Sequence, residues 1–284
     1  MRHHSPAKIN LFLYVTGKRP DGYHNLSTLM CPVTLFDTIE LEIGTEKSGI
    51  RCDAPNVPED ETNLAWRAAS LFFDHHQRLT GRPSESIHIA IDKQIPVGAG
   101  LGGGSSNAAT VLLGLNRWYG EPFALDDLCR MGRSIGADVP FFILQRPALS
   151  TGIGDRLQPV ENLVPYPILL VYPGIDVSTG SVYKNLNLGL TKKSKGHRNL
   201  CFRERKVDAV RELHNDLETV TATRHPEISV VKETLLRHGA LGALMTGSGS
   251  AVFGLYHDKA DARRAFLSIS QHTDWKTFLV EMVS

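Results

Sequence analysis

Residues 96–109, with the sequence P-V-G-A-G-L-G-G-G-S-S-N-A-A, combine many glycines with two serines and no charged side chain. Gly98, Gly100 and Gly103 give the spacing G-x-G-x-x-G. Because glycine lacks a Cβ and tolerates positive φ, such a segment lets backbone N–H groups approach a ligand closely. The apolar spacing after it predicts a helix, whose N-terminus adds unpaired N–H donors and a partial positive charge. These features predict a phosphate-binding loop; the alternative is a glycine-rich turn that only permits tight packing.

The spacing G-x-G-x-x-G is found in dinucleotide-binding sites and in kinase glycine loops, so it leaves the ligand open. A dinucleotide-binding fold places the loop directly after a strand, with an acidic residue about 20 positions further on. Asp126 and Asp127 loosely meet the second condition, but residues 92–96 separate the loop from the preceding strand. The sequence contains no G-x-x-x-x-G-K-[ST], and no protein-kinase combination of H-R-D and D-F-G. A nicotinamide-dependent oxidoreductase stays open as an alternative at this point.

The composition is that of a soluble globular protein, with 42% hydrophobic and 21% charged residues among 284. Lys and Arg number 31 and Asp and Glu 30, so the net charge of +1 gives no general attraction to nucleic acid or to an anionic membrane. The basic segment T-K-K-S-K-G-H-R at 191–198 is interpreted as a solvated loop. Cys31, Cys52, Cys129 and Cys201 lack metal-site spacing and are expected to be reduced thiols of a cytoplasmic protein. We expect neither a signal peptide nor a transmembrane helix.

The elements that must position the loop follow from hydrophobic periodicity. A-K-I-N-L-F-L-Y-V at 7–15 alternates as a strand, which places Lys8 and Asn10 together on its mixed face. Further strands and helices are interleaved irregularly, which favours an α+β fold over a doubly wound sheet. The proline-rich stretch that follows residue 156 predicts a boundary between a domain at 1–158 and a second domain at 159–284.

Two helices are predicted after the glycine segment. The first should begin with Ser106 or Asn107 as its N-cap, since both side chains can accept a hydrogen bond from a first-turn N–H. The second should run from near Asp126 to Gly136, because glycine commonly terminates helices. The following A-D-V-P-F-F, at 137–142, is predicted to lead into another strand.

Three segments together resemble the GHMP kinases, the superfamily of galactokinase, homoserine kinase, mevalonate kinase and phosphomevalonate kinase. They are the glycine segment, P-A-K-I-N-L-F-L-Y-V-T-G-K-R-P-D-G-Y-H-N-L at 6–26, and M-T-G-S-G-S-A-V-F-G-L-Y at 245–256. Within the superfamily, K-R-P-D-G-Y-H, G-A-D-V-P-F-F, D-V-S-T-G-S-V-Y-K-N-L and N-D-L-E are similar to one family, the kinases that act on 4-diphosphocytidyl-2-C-methyl-D-erythritol. The resemblance extends from residue 6 to about residue 256.

The resemblance implies a two-domain fold, with an N-terminal domain like domain 2 of ribosomal protein S5 and a ferredoxin-like C-terminal domain. It implies ATP as the phosphate donor, with Mg²⁺ held mainly by the phosphates of ATP, and no protein ligand to the metal is assigned. A second glycine turn at residues 247–249 would help to close the site; the alternative is a plain hairpin turn between the two strands predicted within 242–256. The residues expected to bind the nucleotide form one continuous segment: Pro96, Val97, Gly98, Ala99, Gly100, Leu101, Gly102, Gly103, Gly104, Ser105 and Ser106.

A catalytic pair is also implied by the resemblance. Asp138 would act as the general base that accepts the proton of the attacking hydroxyl. Lys8 would orient that hydroxyl, favour the ionised form of Asp138 and offset charge on the transferred phosphoryl group.

Four residues are implied as binding the acceptor. Asn10 would hydrogen-bond it near the reacting end. Tyr23 and Tyr183 would stack on opposite faces of a cytosine ring, and His24 would read the polar edge of that base.

The function expected from the resemblance is ATP-dependent phosphorylation of the 2-hydroxyl of 4-diphosphocytidyl-2-C-methyl-D-erythritol, in the non-mevalonate route to isoprenoid precursors. The partner is thus a small molecule with a cytidine diphosphate moiety, with no nucleic acid and no membrane, and the enzyme is a monomer or homodimer. A homoserine or mevalonate type of kinase is one alternative, which K-R-P-D-G-Y-H argues against. A nucleotide-binding protein without catalysis is another, which Lys8 and Asp138 argue against.

Overall fold

The structure is a computed structural model, and it describes residues 1–186 and 206–283. The chain forms two compact units that do not correspond to a single cut in the sequence. The first comprises Met1–Ala7, Leu35–Val97 and Gly102–Gln145, and the second comprises Lys8–Thr34, Gly98–Leu101 and Arg146–Ser284. The basic segment at 191–198 and Cys201 lie outside the described residues, and the boundary between residues 158 and 159 stays a prediction.

The first unit combines one sheet with a group of helices. Its strands are ordered β3-β4-β2-β1, with β3 parallel to β4 and β4 antiparallel to β2. Its four helices, α1 to α4, pack against one another. The elements are β1 (Arg2–Lys18) as far as Ala7, β2 (His24–Ile43) from Leu35, β3 (Gly49–Cys52), α1 (Leu64–Thr80), β4 (Ile87–Asp92), α2 (Gly103–Trp118), α3 (Leu125–Ile135) and α4 (Val139–Leu144).

The second unit contains two sheets. One has the order β8-β1-β2-β5-β6, and the other is antiparallel with the order β11-β7-β10-β9. Its elements are the remainders of β1 and β2, then β5 (Ala148–Gly152), β6 (Arg156–Pro159), β7 (Ile168–Tyr172), α5 (Thr179–Lys184), α6 (Ala209–Glu212), β8 (His214–Asn215), α7 (Asp216–Arg224), α8 (Glu227–Arg237), β9 (Gly242–Met245), β10 (Val252–Leu255), α9 (Lys259–His272) and β11 (Lys276–Val280).

The core of the second unit forms where amphipathic helices cover the antiparallel sheet. α8 packs on β9 and β10, and α9 packs on β7 and β11. On α8, Ile228, Val231 and Leu235 are fully buried in one cluster with Met245 and Val252. Their spacing of three and four residues puts them on one helix face, so burying that face holds the helix to the sheet.

The predicted α+β class is confirmed, and so are most of the predicted elements. Among the described residues no helix has the length and apolar character needed to cross a membrane. The strand, glycine turn and strand expected at 242–256 are present as the antiparallel pair β9 and β10, and α3 ends at Gly136 as predicted.

Two local predictions are wrong. α2 begins at Gly103 with Gly102 as its N-cap, earlier than the predicted caps Ser106 and Asn107, because Gly102 adopts the left-handed φ of 73° that few other residues tolerate. The second error concerns residues 139–144, which form the short helix α4 in place of a strand. Pro140 lies in the first turn of this helix, where a missing N–H costs nothing.

Candidate active site

The glycine segment is held in the second unit through its carbonyl groups. Each of the four carbonyls of residues 98–101 accepts a hydrogen bond. In chain order the donors are Val177 N at 3.1 Å, Ala251 N at 3.1 Å, Lys8 Nζ at 2.8 Å and Lys8 N at 3.0 Å. The donors in these four hydrogen bonds all come from other residues, so none of the four involves an N–H group of residues 98–101.

Gly100 occupies a position that no other residue can fill without movement. Its φ is +77°, and a Cβ atom there would lie 2.3 Å from the Thr246 carbonyl oxygen and 3.1 Å from Gly249 N. Gly98 has a φ of +67°, and a Cβ atom there would lie 3.1 Å from Asp176 Oδ1. Gly100 therefore permits a close approach between the loop and the second glycine turn, and Gly98 permits a close approach to Asp176.

The remainder of the glycine segment starts helix α2 in the first unit. Gly102 makes no side-chain capping bond, so the first-turn N–H groups receive no cap from their own N-cap residue. Ser106 is fully buried, and its Oγ accepts a hydrogen bond from Ser5 Oγ at 2.8 Å. Ser105 is partly exposed. Of the two serines predicted to contact phosphate, Ser105 is thus the more accessible, and Ser106 is tied to β1.

A buried polar cluster supports both ends of this part of the loop. The Asp37 carboxylate accepts hydrogen bonds from the backbone N–H groups of Gln94 and Ile95, each at 2.9 Å, and from Asn107 Nδ2 at 2.9 Å. It also forms an ion pair with Lys93, whose Nζ lies 3.3 Å from Asn107 Oδ1. Asp37 thereby joins β2 to the residues before the loop and to the helix after it. Sequence reasoning missed this cluster, whose only signal is a charged residue inside an apolar strand.

Lys8 and Asn10 lie together, as their alternation in β1 predicts. Lys8 Nζ donates to Asn10 Oδ1 at 2.6 Å as well as to the Gly100 carbonyl. Asn10 Nδ2 donates to Thr28 Oγ1 at 2.8 Å, and Asn10 N donates to Thr246 Oγ1 at 3.0 Å. Both side chains are buried, so the face expected to be mixed is an internal polar surface that fixes the ammonium beside the glycine segment.

The residues predicted to hold a base follow a tight turn in the second unit. Arg19 N donates to Tyr23 O at 2.8 Å, Gly22 N donates to Arg19 O at 3.1 Å, and Asp21 Oδ1 accepts from Tyr23 N at 3.1 Å. The turn leaves the Tyr23 side chain 61% exposed. His24 comes next and is buried at the start of β2.

The structure brings His24 and Tyr183 together. Their ring centroids are 5.2 Å apart at an interplanar angle of 23°, so the rings stack. Burial, with a smaller contribution from the Lys18 charge, lowers the pKa of His24. A lowered pKa keeps the imidazole neutral at neutral pH, and a neutral ring has one donor and one acceptor nitrogen.

Asp138 lies in the first unit as the residue preceding α4. Its side chain is partly exposed and makes no capping hydrogen bond to the helix. Lys8 belongs to the second unit, so the proposed partnership of these two residues stays a prediction.

Comparisons with known proteins place the chain in a family. The GHMP kinases N terminal domain model matches residues 63–146, and the GHMP kinases C terminal model matches residues 202–273. A 4-diphosphocytidyl-2-C-methyl-D-erythritol kinase of Syntrophotalea carbinolica is 47% identical over 281 residues, which cover 99% of this chain and 98% of that protein. One of Geobacter sp. (strain M21) is 47% identical over 277 residues, 95% of each. The chain belongs to this family of GHMP kinases.

Solved structures agree with that placement. A crystal structure of 4-(cytidine 5'-diphospho)-2C-methyl-D-erythritol kinase matches the whole of both chains with a TM-score of 0.80 and 35% identity. The mevalonate kinase of Methanococcus jannaschii matches with a TM-score of 0.71 but only 15% identity, which shows a shared fold alone. Membership in a kinase family confirms the predicted enzyme class and removes the oxidoreductase alternative.

The close approach at Gly100 generates a stability prediction for this GHMP kinase. Gly100→Ala should lower the thermal unfolding temperature more than Gly120→Ala, because both positions have a φ of +77° but no atom lies within 4 Å of a Cβ at Gly120. The control should show only the left-handed strain of about 1–2 kcal/mol. Calorimetry of both variants makes the comparison, and equal losses would contradict the packing described for residue 100.

Proposed function

We propose that this kinase transfers the γ-phosphoryl group of ATP to the 2-hydroxyl of 4-diphosphocytidyl-2-C-methyl-D-erythritol, in the non-mevalonate route to isoprenoid precursors. The proposal rests on one observation. The carbonyl groups of residues 98–101 are all hydrogen-bonded, and the donor to the Gly100 carbonyl is the buried ammonium of Lys8. The names of the relatives at 40–47% identity support the choice of acceptor.

We infer that the backbone N–H groups of the glycine segment bind the phosphates of ATP. A carbonyl-anchored loop presents its amides without rearrangement, and the start of α2 adds a favourable dipole. This cradle needs no basic side chain of its own. Magnesium, when bound, would neutralise phosphate charge and is expected to be held chiefly by the phosphates.

Lys8 and Asp138 are proposed to carry the transfer. The ammonium of Lys8 is fixed by Asn10 and by the Gly100 carbonyl, so its charge is available without reorganisation as negative charge shifts during transfer. The Asp138 carboxylate would accept the proton of the acceptor hydroxyl. Direct in-line transfer of this kind forms no covalent enzyme intermediate.

The cytidine moiety is proposed to bind at Tyr23, His24 and Tyr183. An exposed tyrosine ring offers a flat stacking surface, and a neutral histidine can both donate to and accept from the edge of a base. Asn10 would then lie toward the reacting end of the acceptor. We further propose that the enzyme acts in the cytoplasm as a monomer or homodimer.

The acceptor assignment and the role of Asp138 can be tested in one assay. With ATP and magnesium, the purified protein should phosphorylate the cytidyl acceptor and neither homoserine nor mevalonate, as followed by ADP release. Asp138→Asn should lower kcat by about 10²-fold or more with little change in the KM for ATP, because a general base contributes to the transfer step. Asp126→Asn, at the exposed start of α3, is the control. Near-parental turnover in Asp138→Asn would remove the base assignment, and turnover of a different acceptor would remove the function.

Tyr23 provides a separate test of base stacking. Tyr23→Ala should raise the KM for the cytidyl acceptor about tenfold, at the upper end of aromatic stacking energies, and leave the KM for ATP unchanged. Tyr23→Phe keeps the ring and should retain the parental KM. If Tyr23→Ala binds the acceptor as well as Tyr23→Phe does, Tyr23 does not stack on the base.

A further inference from the structure

One face of α7 is directed at the backbone of the second glycine turn. Asn215, Glu218 and Thr221 recur every three residues and so lie on one side of the helix. Glu218 Oε2 accepts from Met245 N at 2.9 Å, and the Thr221 hydroxyl lies 3.0 Å from the Ser248 carbonyl oxygen. Two side chains of this helix therefore contact backbone groups of this region, at Met245 before the turn and at Ser248 within it.

Asn215 makes the most complete set of these contacts. Its Nδ2 donates to the carbonyls of Met245 at 2.7 Å and Gly247 at 2.8 Å, and its Oδ1 accepts from Leu217 N at 2.9 Å as the N-cap of α7. The side chain is buried. Both amide hydrogens and the amide oxygen are thus engaged, which fixes the orientation of the side chain as well as its place.

The turn that Asn215 holds is the surface on which the first glycine segment rests. Ala251 N, two residues after the turn, donates to the Ala99 carbonyl, and the carbonyl of Thr246, just before the turn, faces Gly100 at the close approach. A Cβ atom at Gly247 would lie 3.2 Å from Lys8 Nζ. A shift of the turn toward Lys8 would therefore crowd the ammonium and disturb the contacts that support the loop.

We propose that Asn215 is a positioning residue for the phosphate loop, acting through the second glycine turn, with Thr221 as a weaker partner. The inference rests on the proposed role of the loop in binding ATP. Asn215 is not expected to touch either reactant. It fixes the carbonyls of Met245 and Gly247, and these residues belong to the surface that supports residues 99–100.

The sharpest variant is Asn215→Asp. Aspartate keeps the volume and the capping oxygen, and it is an equally good N-cap, but it presents an oxygen to two carbonyls in place of two N–H donors. The matched control is Asn116→Asp, since Asn116 is also a buried asparagine whose amide binds both backbone groups of one residue, Phe123. It lies near the C-terminal end of α2, away from the glycine segment.

A second pair of variants keeps the test decisive if Asn215→Asp does not fold. Thr221→Val and Thr223→Val are the same substitution on the same helix, and both hydroxyls bond to the carbonyl four residues earlier. Of these two hydroxyl groups, that of Thr221 also contacts the Ser248 carbonyl. Thr221 is buried and Thr223 is exposed, so their effects on stability will differ, and the affinity for ATP is the readout that reports the contact with the glycine turn.

The measurement is the affinity for ATP, by calorimetric titration, together with the KM for ATP and for the acceptor. Asn215→Asp should weaken ATP binding and raise the KM for ATP about tenfold, Thr221→Val about threefold, and the two controls less than twofold, with the acceptor KM unchanged. A purely structural role would lower the active fraction and the melting temperature without changing either KM. ATP affinities equal to those of the controls would overturn the proposal.

Failure of the proposed function gives a different result. If the parental protein binds ATP but phosphorylates no cytidyl acceptor, the acceptor assignment falls, and the ATP titrations still compare Asn215→Asp with Asn116→Asp. If the parental protein does not bind ATP, both the proposed function and this inference are overturned.

Discussion

Lys8 bonds twice to the glycine segment, once through its backbone and once through its side chain. Its N–H donates to the Leu101 carbonyl, and its ammonium donates to the Gly100 carbonyl one residue earlier. A buried ammonium is costly unless hydrogen bonds replace its hydration, and Asn10 supplies a further acceptor at 2.6 Å. The same contacts that make burial of the charge tolerable also hold the loop by its carbonyl side. The same hydrogen bonds therefore determine both the geometry of the loop and the position of the positive charge.

Backbone hydrogen bonds also connect the glycine segment to other parts of the second unit. The Ala99 carbonyl is bound by Ala251 N, just after the second glycine turn, and the Gly98 carbonyl is bound by Val177 N, just before Ser178, the N-cap of α5. Each contact joins parts of the chain that are far apart in sequence. The turn itself is held by α7, so a helix with no expected contact to either reactant helps to set the position of the loop.

Buried polar residues also fix the position of the backbone in the first unit. Asp37, Lys93 and Asn107 satisfy one another and the backbone ahead of the glycine segment, which leaves few ways for that backbone to rearrange. Replacing one member would leave its partners unpaired in a dry environment, and that penalty exceeds the net gain of a typical hydrogen bond. The cluster therefore specifies the start of α2 more strictly than apolar packing would.

Much of this could be predicted from the sequence, because local signals agree with the fold. The glycine spacing, the alternation that pairs Lys8 with Asn10, and the β9–β10 hairpin are all short-range patterns. The start of α2 could not be predicted, since capping residues favoured Ser106 whereas the left-handed Gly102 begins the helix. Asp37 and Asn215 were missed for a different reason. The most distant partner of Asp37 is 70 residues away in sequence and that of Asn215 is 32 residues away, and no local pattern encodes such pairs.

We propose that backbone amides of the glycine segment, anchored by carbonyl contacts that include Lys8, bind the triphosphate of ATP. A crystal structure with a non-hydrolysable ATP analogue would test this binding mode. We expect phosphate oxygens within about 3 Å of N–H groups between residues 98 and 105, with the Gly100 carbonyl still bound to Lys8. A triphosphate held by side chains elsewhere, with these amides facing solvent, would contradict it.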